Sequence, residues 1–311
     1  MLTIDQIIEK AFNTADLAAG GLLNPEQAAR FVQGIFENAV VTVESRREPM
    51  RANKKQIDKI TYTGDILQIP SAVGTEHTTL TEPVTSKVVL DAKEVLVAMD
   101  IGFDSLEDSI EGGDLMNSIL DLSARRVAFE MDRLILHGDT AGGTGSALDI
   151  LDGLFKQVTT NVSDAAGAII TDVILAAALK KLPGEYLQNE GAWRYYVSHI
   201  TRLDYIQFLA GKNVSEAFMQ YLIGSKEPSY NGIVVRKVGG IKTETVTGAV
   251  PGSKALLVNP ANIVWGIHRD ISIDMERKPR KRVVEVTMTM RVDVKLERED
   301  AAVKITNIKH G

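Results

Sequence analysis

Hydrophobic and polar residues alternate most regularly near the C-terminus of the chain. From Val284 to Leu296 every second residue is apolar, and the residues between them are charged or threonine. A period of two predicts a long β-strand with one buried face and one solvated face. A second strand, returning beside the first, is predicted by four further apolar residues: Ala302, Val303, Ile305 and Ile308.

Between Asp114 and His137 the apolar residues recur every three or four positions, which predicts an amphipathic helix with Asp114 as N-cap and Gly138 at C′. At 1.5 Å per residue it spans roughly 36 Å, enough to cross a domain. The buried face is predicted to contain Leu120, Ala124, Val127, Met131 and Leu134. The residues predicted to face solvent or an interface are Asp121, Arg125, Glu130, Asp132 and Arg133.

Two shorter amphipathic helices are predicted near the N-terminus. In the first, Thr3 and Gln6 have the spacing of a capping box, and Gly20-Gly21 follows it. The second begins at Asn24, with Pro25 at its first helical position. Their apolar faces contain Ile4, Ile7, Ile8, Ala11 and Phe12 in the first, and Val32, Ile35, Phe36 and Ala39 in the second. We expect both to form an arm that buries these faces on a partner surface.

Residues 56–90 change to a pattern of strands and turns, with a turn predicted at Thr63-Gly64-Asp65. The stretch from Thr75 to Thr85 is rich in threonine and has few large apolar side chains, so it cannot form a core alone. Its β-branched residues favour a long two-stranded extension lying on a neighbouring molecule over a flexible loop. A strand from Lys93 to Ile101 follows.

Residues 163–259 alternate between predicted helices and strands, as in a separate α/β lobe. Helices are predicted at Asp172–Leu182, capped by Thr171, and at Thr201–Leu209. Strands are predicted at Trp193–Val197, Gly232–Val235 and Ala255–Val258.

Composition excludes several classes of protein. The chain has 311 residues, with 44% hydrophobic and 24% charged, as in ordinary globular proteins. No apolar run approaches the ~20 residues that a bilayer span requires. The absence of cysteine excludes disulfides and thiolate chemistry, and a net charge of −6 argues against a general nucleic-acid binder.

No catalytic, metal-binding or cofactor-binding residue is predicted, and no cofactor. The glycine-rich stretch 138–145 follows a helix and lacks the Gly-Lys-Ser/Thr of a phosphate loop, which favours a turn. Ser198-His199 belongs to no recognisable triad. Five scattered histidines lack metal-ligand spacing: His77, His137, His199, His268 and His310.

Three stretches resemble the major capsid proteins of tailed bacteriophages. They are Leu136–Thr140 with Leu151–Leu154, Asn259–Gly266 followed by Ile271–Ile273, and Thr287–Val294 with Ala301–Ile305. The order of arm, extended loop, strand, long helix, glycine loop, α/β lobe and long strand matches that family over nearly the whole chain. The resemblance implies the α+β fold shared by tailed-phage capsids and encapsulins.

By order along the chain, the resemblance implies five segments. They are an N-terminal arm at 1–45, an extended loop at 46–92, a peripheral domain at 93–162 with a spine helix at 114–137, an axial domain at 163–260, and the C-terminal strands of the peripheral domain at 261–311.

The function implied is self-assembly, without catalysis, into hexamers and pentamers of an icosahedral shell. This shell encloses double-stranded DNA without sequence-specific binding, in a virion assembled in the host cytoplasm and without a membrane. The implied partners are other copies of the chain and separate scaffolding, cementing and portal proteins. Two alternatives stay open: the shell of an encapsulin-type nanocompartment, and a soluble enzyme with an α/β catalytic lobe.

Two basic clusters are candidate contact sites. The run from Arg277 to Arg282 is interpreted as an intersubunit ion-pair surface, a solvated turn or a nucleic-acid patch, with the first favoured. A second cluster, from Arg46 to Lys59, has the same two interpretations, an intersubunit ion-pair surface or a solvated segment. In the first interpretation it meets acidic residues of a neighbour: Glu107, Asp108, Glu111 and Asp114. The predicted intersubunit contacts are Ile4, Ile7, Ile8, Phe12, Arg46, Arg47, Arg51, Lys54, Glu76, Glu82, Arg277, Lys278, Arg280, Lys281 and Arg282.

Overall fold

The computed structural model describes residues 39–62, 66–67, 82–104, 115–143, 145–212 and 227–311. Several predictions therefore lie outside the described residues. These are both arm helices as far as residue 38 (with Ile4, Ile7, Ile8 and Phe12), the turn at Thr63–Asp65, Glu76, His77, the cap Asp114, and the acidic residues Glu107, Asp108 and Glu111.

The helices and strands of the described residues are numbered in chain order. The helices are α1 (Val41–Glu44), α2 (Leu115–His137), α3 (Leu154–Gln157), α4 (Asp172–Leu179) and α5 (His199–Ala210). The strands are β1 (Arg46–Pro49), β2 (Lys54–Tyr62), β3 (Pro83–Asp91), β4 (Lys93–Gly102), β5 (Val162–Asp164), β6 (Arg194–Val197), β7 (Ser229–Tyr230), β8 (Ile233–Lys237), β9 (Glu244–Val246), β10 (Val250–Val258), β11 (Ile263–Lys278), β12 (Val283–Leu296) and β13 (Ala302–Lys309).

The first sheet has four strands in the order β1-β11-β12-β4. Its centre is β12, the strand predicted from the alternation, which pairs antiparallel with β11 and β4. Val286, Val292 and Val294 on β12 are fully buried, as that alternation requires. Strand β11 was not predicted from the sequence, because register shifts at Ile267/Arg269 and Arg269/Ser272 interrupt its period of two.

Helix α2 packs against this sheet through the face that the sequence predicted. Leu120, Ala124, Val127, Met131 and Leu134 are all buried in the main core. Each such burial contributes about 1.5–3 kcal/mol relative to an exposed side chain. The helix therefore has a large apolar contact with the sheet, and this contact fixes its direction.

Gly138 ends α2 in a different way from the one predicted. It does not adopt the positive φ of a C′ glycine, and its N–H donates to the Leu134 carbonyl at 2.9 Å. A Cβ at this position would lie 2.3 Å from the Leu151 carbonyl oxygen. Glycine is required because the backbone at 151–153 passes directly against the helix end.

The second sheet has seven strands, in the order β5-β13-β10-β6-β8-β7 with β9 paired to β10. The prediction that the last strand returns beside β12 is wrong, because β13 lies between β5 and β10. Ala302, Val303 and Ile305 are fully buried on both faces of this strand. Such a strand suits the interior of a sheet covered on both faces better than an edge with one solvated face.

Two helices in this part of the chain differ from their predicted limits. Helix α4 ends at Leu179, and its N-cap Thr171 makes no side-chain capping hydrogen bond. Helix α5 begins at His199, two residues before the predicted start, because Ser198 is the N-cap and its Oγ accepts from the Thr201 N–H at 3.1 Å.

Asp132 on α2 is buried, so the prediction that it faces solvent or an interface is wrong. Its carboxylate accepts hydrogen bonds from the N–H of Val40 at 2.7 Å, the N–H of Thr42 at 3.2 Å and the Thr42 hydroxyl at 3.0 Å. Helix α1 has no side-chain cap of its own, and Asp132 supplies the acceptors that its first turn lacks. Burial raises the pKa of Asp132, while these hydrogen bonds lower it.

We predict that Asp132→Ala lowers the free energy of unfolding of the subunit by about 2–3 kcal/mol, because it leaves buried N–H groups unpaired. Denaturant titration of the subunit measures this loss. Glu130→Ala, a partly exposed ion-pairing residue on the same helix, is the control and should cost less than about 1 kcal/mol. Equal losses in the two variants would contradict a special role for Asp132.

Candidate interaction surfaces

Strands β2 and β3 form a separate two-stranded sheet, which we call the hairpin. It is antiparallel and paired without a break from Lys54↔Asp91 to Tyr62↔Pro83. At its base, Leu90 is buried in a small cluster with Met50, Ala92 and Val264. The hairpin therefore shows the strands that the pattern of residues 56–90 predicted, and it is anchored to the first sheet at one end. Of the extension predicted at Thr75–Thr85, residues 75–81 lie outside the described residues.

The outer face of the hairpin is exposed and partly apolar. Ile60 is 65% exposed, Tyr62 53% and Val89 42%. The strand period of two and the register place these three side chains on the same face. An isolated two-stranded sheet is marginally stable in water, so this face is a candidate for contact with another molecule.

The basic cluster at the base of the hairpin is paired largely within the chain. Arg46 lies 2.6 Å from Glu297, and Lys54 lies 3.8 Å from Asp91. Lys55 pairs with Glu48, while Lys59 Nζ donates to the Glu297 carbonyl at 2.5 Å. Arg47, Arg51 and Glu82 are exposed. Contacts of this cluster with a neighbouring subunit stay a prediction.

The basic run forms the turn between β11 and β12, and most of its charges are neutralised locally. Lys278 and Lys281 both pair with Glu285, the latter at 2.9 Å, and Arg282 pairs with Asp104 at 2.7 Å. The hydrogen bonds from Lys278 and Lys281 hold the pKa of Glu285 below its usual range.

Arg277 and Arg280 complete this run. The Arg277 guanidinium lies 4.4 Å from the centre of the Phe103 ring. Arg280 is exposed and has no ion-pair partner among the residues that the structure describes. The local pairing argues against a nucleic-acid patch, and Arg280 is the residue of this turn best placed for an external partner.

The glycine-rich loop after α2 is a turn closed by its own polar groups. Lys156 Nζ lies 2.6 Å from Asp139 and 2.7 Å from Asp152, and the Thr140 N–H donates to Asp152 at 3.0 Å. Burial raises the pKa of Asp152, but the hydrogen bonds from Lys156 and Thr140 outweigh it and bring the pKa to about 2. The Lys156 ammonium and the Thr140 N–H, the donors that could bind a phosphate, are therefore already paired with carboxylates of the same loop.

His137, the last residue of α2, joins the spine helix to the second sheet. Its Nε2 accepts from the Lys242 N–H at 3.0 Å, so Nδ1 carries the proton and faces Glu244 at 3.5 Å. Burial lowers the pKa of His137. The His137 and Lys254 hydrogen bonds lower the pKa of Glu244 to about 2, although burial opposes this. His137 is thus a satisfied structural histidine, as the sequence indicated.

No group of three or more histidine, aspartate or glutamate side chains in the described ranges is arranged to hold a metal ion. Among the helices that the structure describes, none is both long and apolar enough to cross a membrane.

Solved structures with a similar fold define the class of protein. A chain of the satellite phage P4 procapsid matches with a TM-score of 0.59 and 14% identity, over 91% of this chain and 99% of that one. A chain of Mycobacterium phage Adephagia matches with a TM-score of 0.61 and 11% identity, over 86% of this chain and 90% of that one. A chain of the holo-SrpI encapsulin complex from Synechococcus elongatus matches with a TM-score of 0.59 and 10% identity, over 86% of this chain and 87% of that one. The chain therefore shares its fold with a phage procapsid chain and an encapsulin chain.

Sequence comparison identifies the family within this class. The sequence profile of the phage capsid family matches residues 19–307. The chain is also 30% identical, over 98% of both sequences, to a protein of Bacillus subtilis strain 168 that carries the provisional name prophage capsid protein YqbE. The chain belongs to the phage capsid family, and its role is that of a structural protein of a capsid shell.

We predict that the subunit loses stability as the pH falls below about 6.5, because the unfolded chain binds a proton at this histidine more readily than buried His137 does. The contribution of neutral His137 to the free energy of unfolding is present above that pH and is lost progressively below it. Glu244, with its pKa lowered from 4.5, adds a second loss as the pH falls from about 4.5 towards 2.

Denaturant titrations at about pH 7 and pH 5 measure this effect. His137→Gln should flatten the dependence between these values, because it removes the group whose protonation is linked to folding. An unaltered pH dependence in His137→Gln would contradict the assignment.

Proposed function

We propose that this protein assembles as hexamers and pentamers into an icosahedral capsid that encloses double-stranded phage DNA. The observation that carries the proposal is the hairpin, whose outer face exposes Ile60, Tyr62 and Val89 in a chain of the phage capsid family. Burying such apolar surface on a neighbouring subunit is favourable, at about 25 cal/mol per Å². The hairpin therefore acts as an extended loop that lies across a neighbour.

The proposed division of the chain follows the predicted one. Residues 1–45 form the arm, 46–92 the extended loop, 93–162 and 261–311 the peripheral domain, and 163–260 the axial domain. Helix α2 and strands β4, β11 and β12 of the first sheet lie within the peripheral segments, and β10 and β6 lie within the axial segment. Because β13 pairs with β10, the C-terminal strand links the two domains in one sheet.

We propose that the chain is not an enzyme, and that the shell encloses DNA without binding it tightly or sequence-specifically. The net charge of −6 and the internally paired basic turn both support weak, sequence-independent contact with DNA. The proposed partners are other copies of the chain and separate scaffolding, cementing and portal proteins. The proposed location is the virion, after assembly in the host cytoplasm.

A second candidate function is the shell of a protein nanocompartment. The similarity to the SrpI encapsulin complex favours it, although at 10% identity this likeness concerns the fold alone. The contents of purified particles distinguish the two functions. A capsid should contain nuclease-protected DNA, whereas a nanocompartment should contain an enclosed protein and no such DNA.

We predict that Ile60→Lys/Tyr62→Lys abolishes closed shells and leaves the subunit folded. Both side chains are exposed, so the substitutions cost the subunit little, but they place two charges in the proposed contact. Electron microscopy and sedimentation of the expressed protein measure assembly, and circular dichroism measures folding.

Glu185→Lys is the matched control for this pair, because it changes the net charge by the same amount at an exposed position outside the hairpin. Normal shells from Ile60→Lys/Tyr62→Lys would overturn the proposed role of the hairpin.

We predict that Arg280→Glu weakens assembly more than it weakens the subunit. An exposed ion pair contributes only about 0.2–1 kcal/mol, but a shell repeats each one many times. Sedimentation at low and high salt measures assembly, with Lys237→Glu as the control at another exposed position. Tight DNA binding by free wild-type subunits that Arg280→Glu removes would instead support a nucleic-acid patch.

A further inference from the structure

The solvent-facing side of α2 carries an exposed stripe of apolar and basic side chains. Leu122 is 70% exposed and Phe129 36%. They are seven residues apart and lie on the same face of the helix, together with three arginines. We call this set the spine stripe: Leu122, Arg125, Arg126, Phe129 and the half-buried Arg133.

The spine stripe has a positive charge although the whole chain is acidic. Arg126 lies 2.5 Å from Glu130 and 5.3 Å from the centre of the Phe129 ring, and Arg133 lies 3.7 Å from the same Glu130. Arg125 is exposed and has no ion-pair partner among the described residues. Glu130 therefore pairs with two of the three guanidinium groups and leaves that of Arg125 without a carboxylate, which favours an occupant that is both apolar and acidic.

The described chain begins beside this stripe. Ala39 is buried in the main core, and the next N–H, that of Val40, donates to Asp132 at 2.7 Å. Asp132 lies between Phe129 and Arg133 along α2, so the residues before Ala39 start at the C-terminal end of the spine stripe. The stripe from Leu122 to Arg133 is about 17 Å long, and residues 24–38 as a helix would span about 22 Å.

We infer that the spine stripe is the docking surface for residues 24–38 of the same chain. The sequence predicts a helix there whose apolar face includes Val32 and Phe36, and whose acidic residues include Glu37. If the helix runs from Ala39 towards the N-terminal end of α2, the equal rise of the two helices sets the register. This register places Phe36 opposite Phe129 and Ala29 opposite Leu122.

Attachment to Val40 gives this segment a high effective concentration at its own stripe. This docking deepens the proposed function, and it rests on that function only for the role of the residues that precede the docked segment. Anchoring residues 24–38 leaves the first 23 residues of the proposed arm available to reach a neighbouring subunit. The docking itself is a contact within one chain.

Engineered disulfides test the docking directly, because the natural chain contains no cysteine. Phe36→Cys/Phe129→Cys and Ala29→Cys/Leu122→Cys should form disulfides within one chain under mild oxidation. Arg30→Cys/Leu122→Cys is the control, because Arg30 lies on the opposite face of the predicted helix. Mass spectrometry of non-reduced tryptic peptides and non-reducing gels should show cross-linked monomers for the matched pairs and about tenfold less for the control.

Limited trypsin digestion of free subunits gives a second readout. Leu122→Ser/Phe129→Ser should increase the rate of cleavage after Arg30 about tenfold, the change that 1.4 kcal/mol of lost docking free energy produces. Unchanged cleavage together with absent cross-links would overturn the inference.

Two other outcomes would also overturn the docking within one chain. Cross-linked dimers alone would assign the stripe to the arm of a second copy. Loss of DNA binding in Arg125→Gln/Arg126→Gln, with no change in cleavage of the arm, would assign it to nucleic acid. Cross-linked monomers that never form shells would leave the docking intact and contradict the proposed function instead.

Discussion

The buried carboxylate of Asp132 is the contact on which the rest of this architecture depends. It holds the backbone at Val40 and Thr42 against the spine helix, where the described chain begins. Directly afterwards, Glu44 accepts from the Tyr196 hydroxyl at 2.5 Å and faces Arg236 at 3.4 Å, both in the second sheet. The next residues form β1 on the edge of the first sheet. One short segment, oriented by one carboxylate, therefore joins the helix and both sheets.

The two sheets and the spine helix share cores that are formed within one chain. The hairpin does the opposite, because Ile60 and Tyr62 expose apolar surface that the described residues do not cover. Exposed apolar surface of this kind marks interaction sites in soluble proteins. In a member of the phage capsid family, that surface favours assembly over catalysis.

The sequence was sufficient where one local period governed an element, and insufficient where distant contacts did. The alternation in β12, the buried face of α2 and the strand β2 of the hairpin follow from periodicity alone. The bulges interrupt the alternation in β11, so the sequence does not predict that strand. The partners of β13 depend on the direction that the turn after Leu296 gives to the chain. Asp132 was misassigned because an aspartate on a helix usually faces water, and its partners lie about 90 positions away in sequence. The recognised family resemblance was confirmed, whereas the intersubunit role of individual charges stays a prediction.

Cryo-electron microscopy of particles purified after expression of the full chain, alone and with the phage's other structural proteins, tests the central claim most directly. We predict closed icosahedral shells in which the outer face of each hairpin, with Ile60 and Tyr62, is covered by a neighbouring subunit. A stable, monodisperse monomer at high concentration, or a shell in which the hairpins extend into solvent without contact, would contradict it.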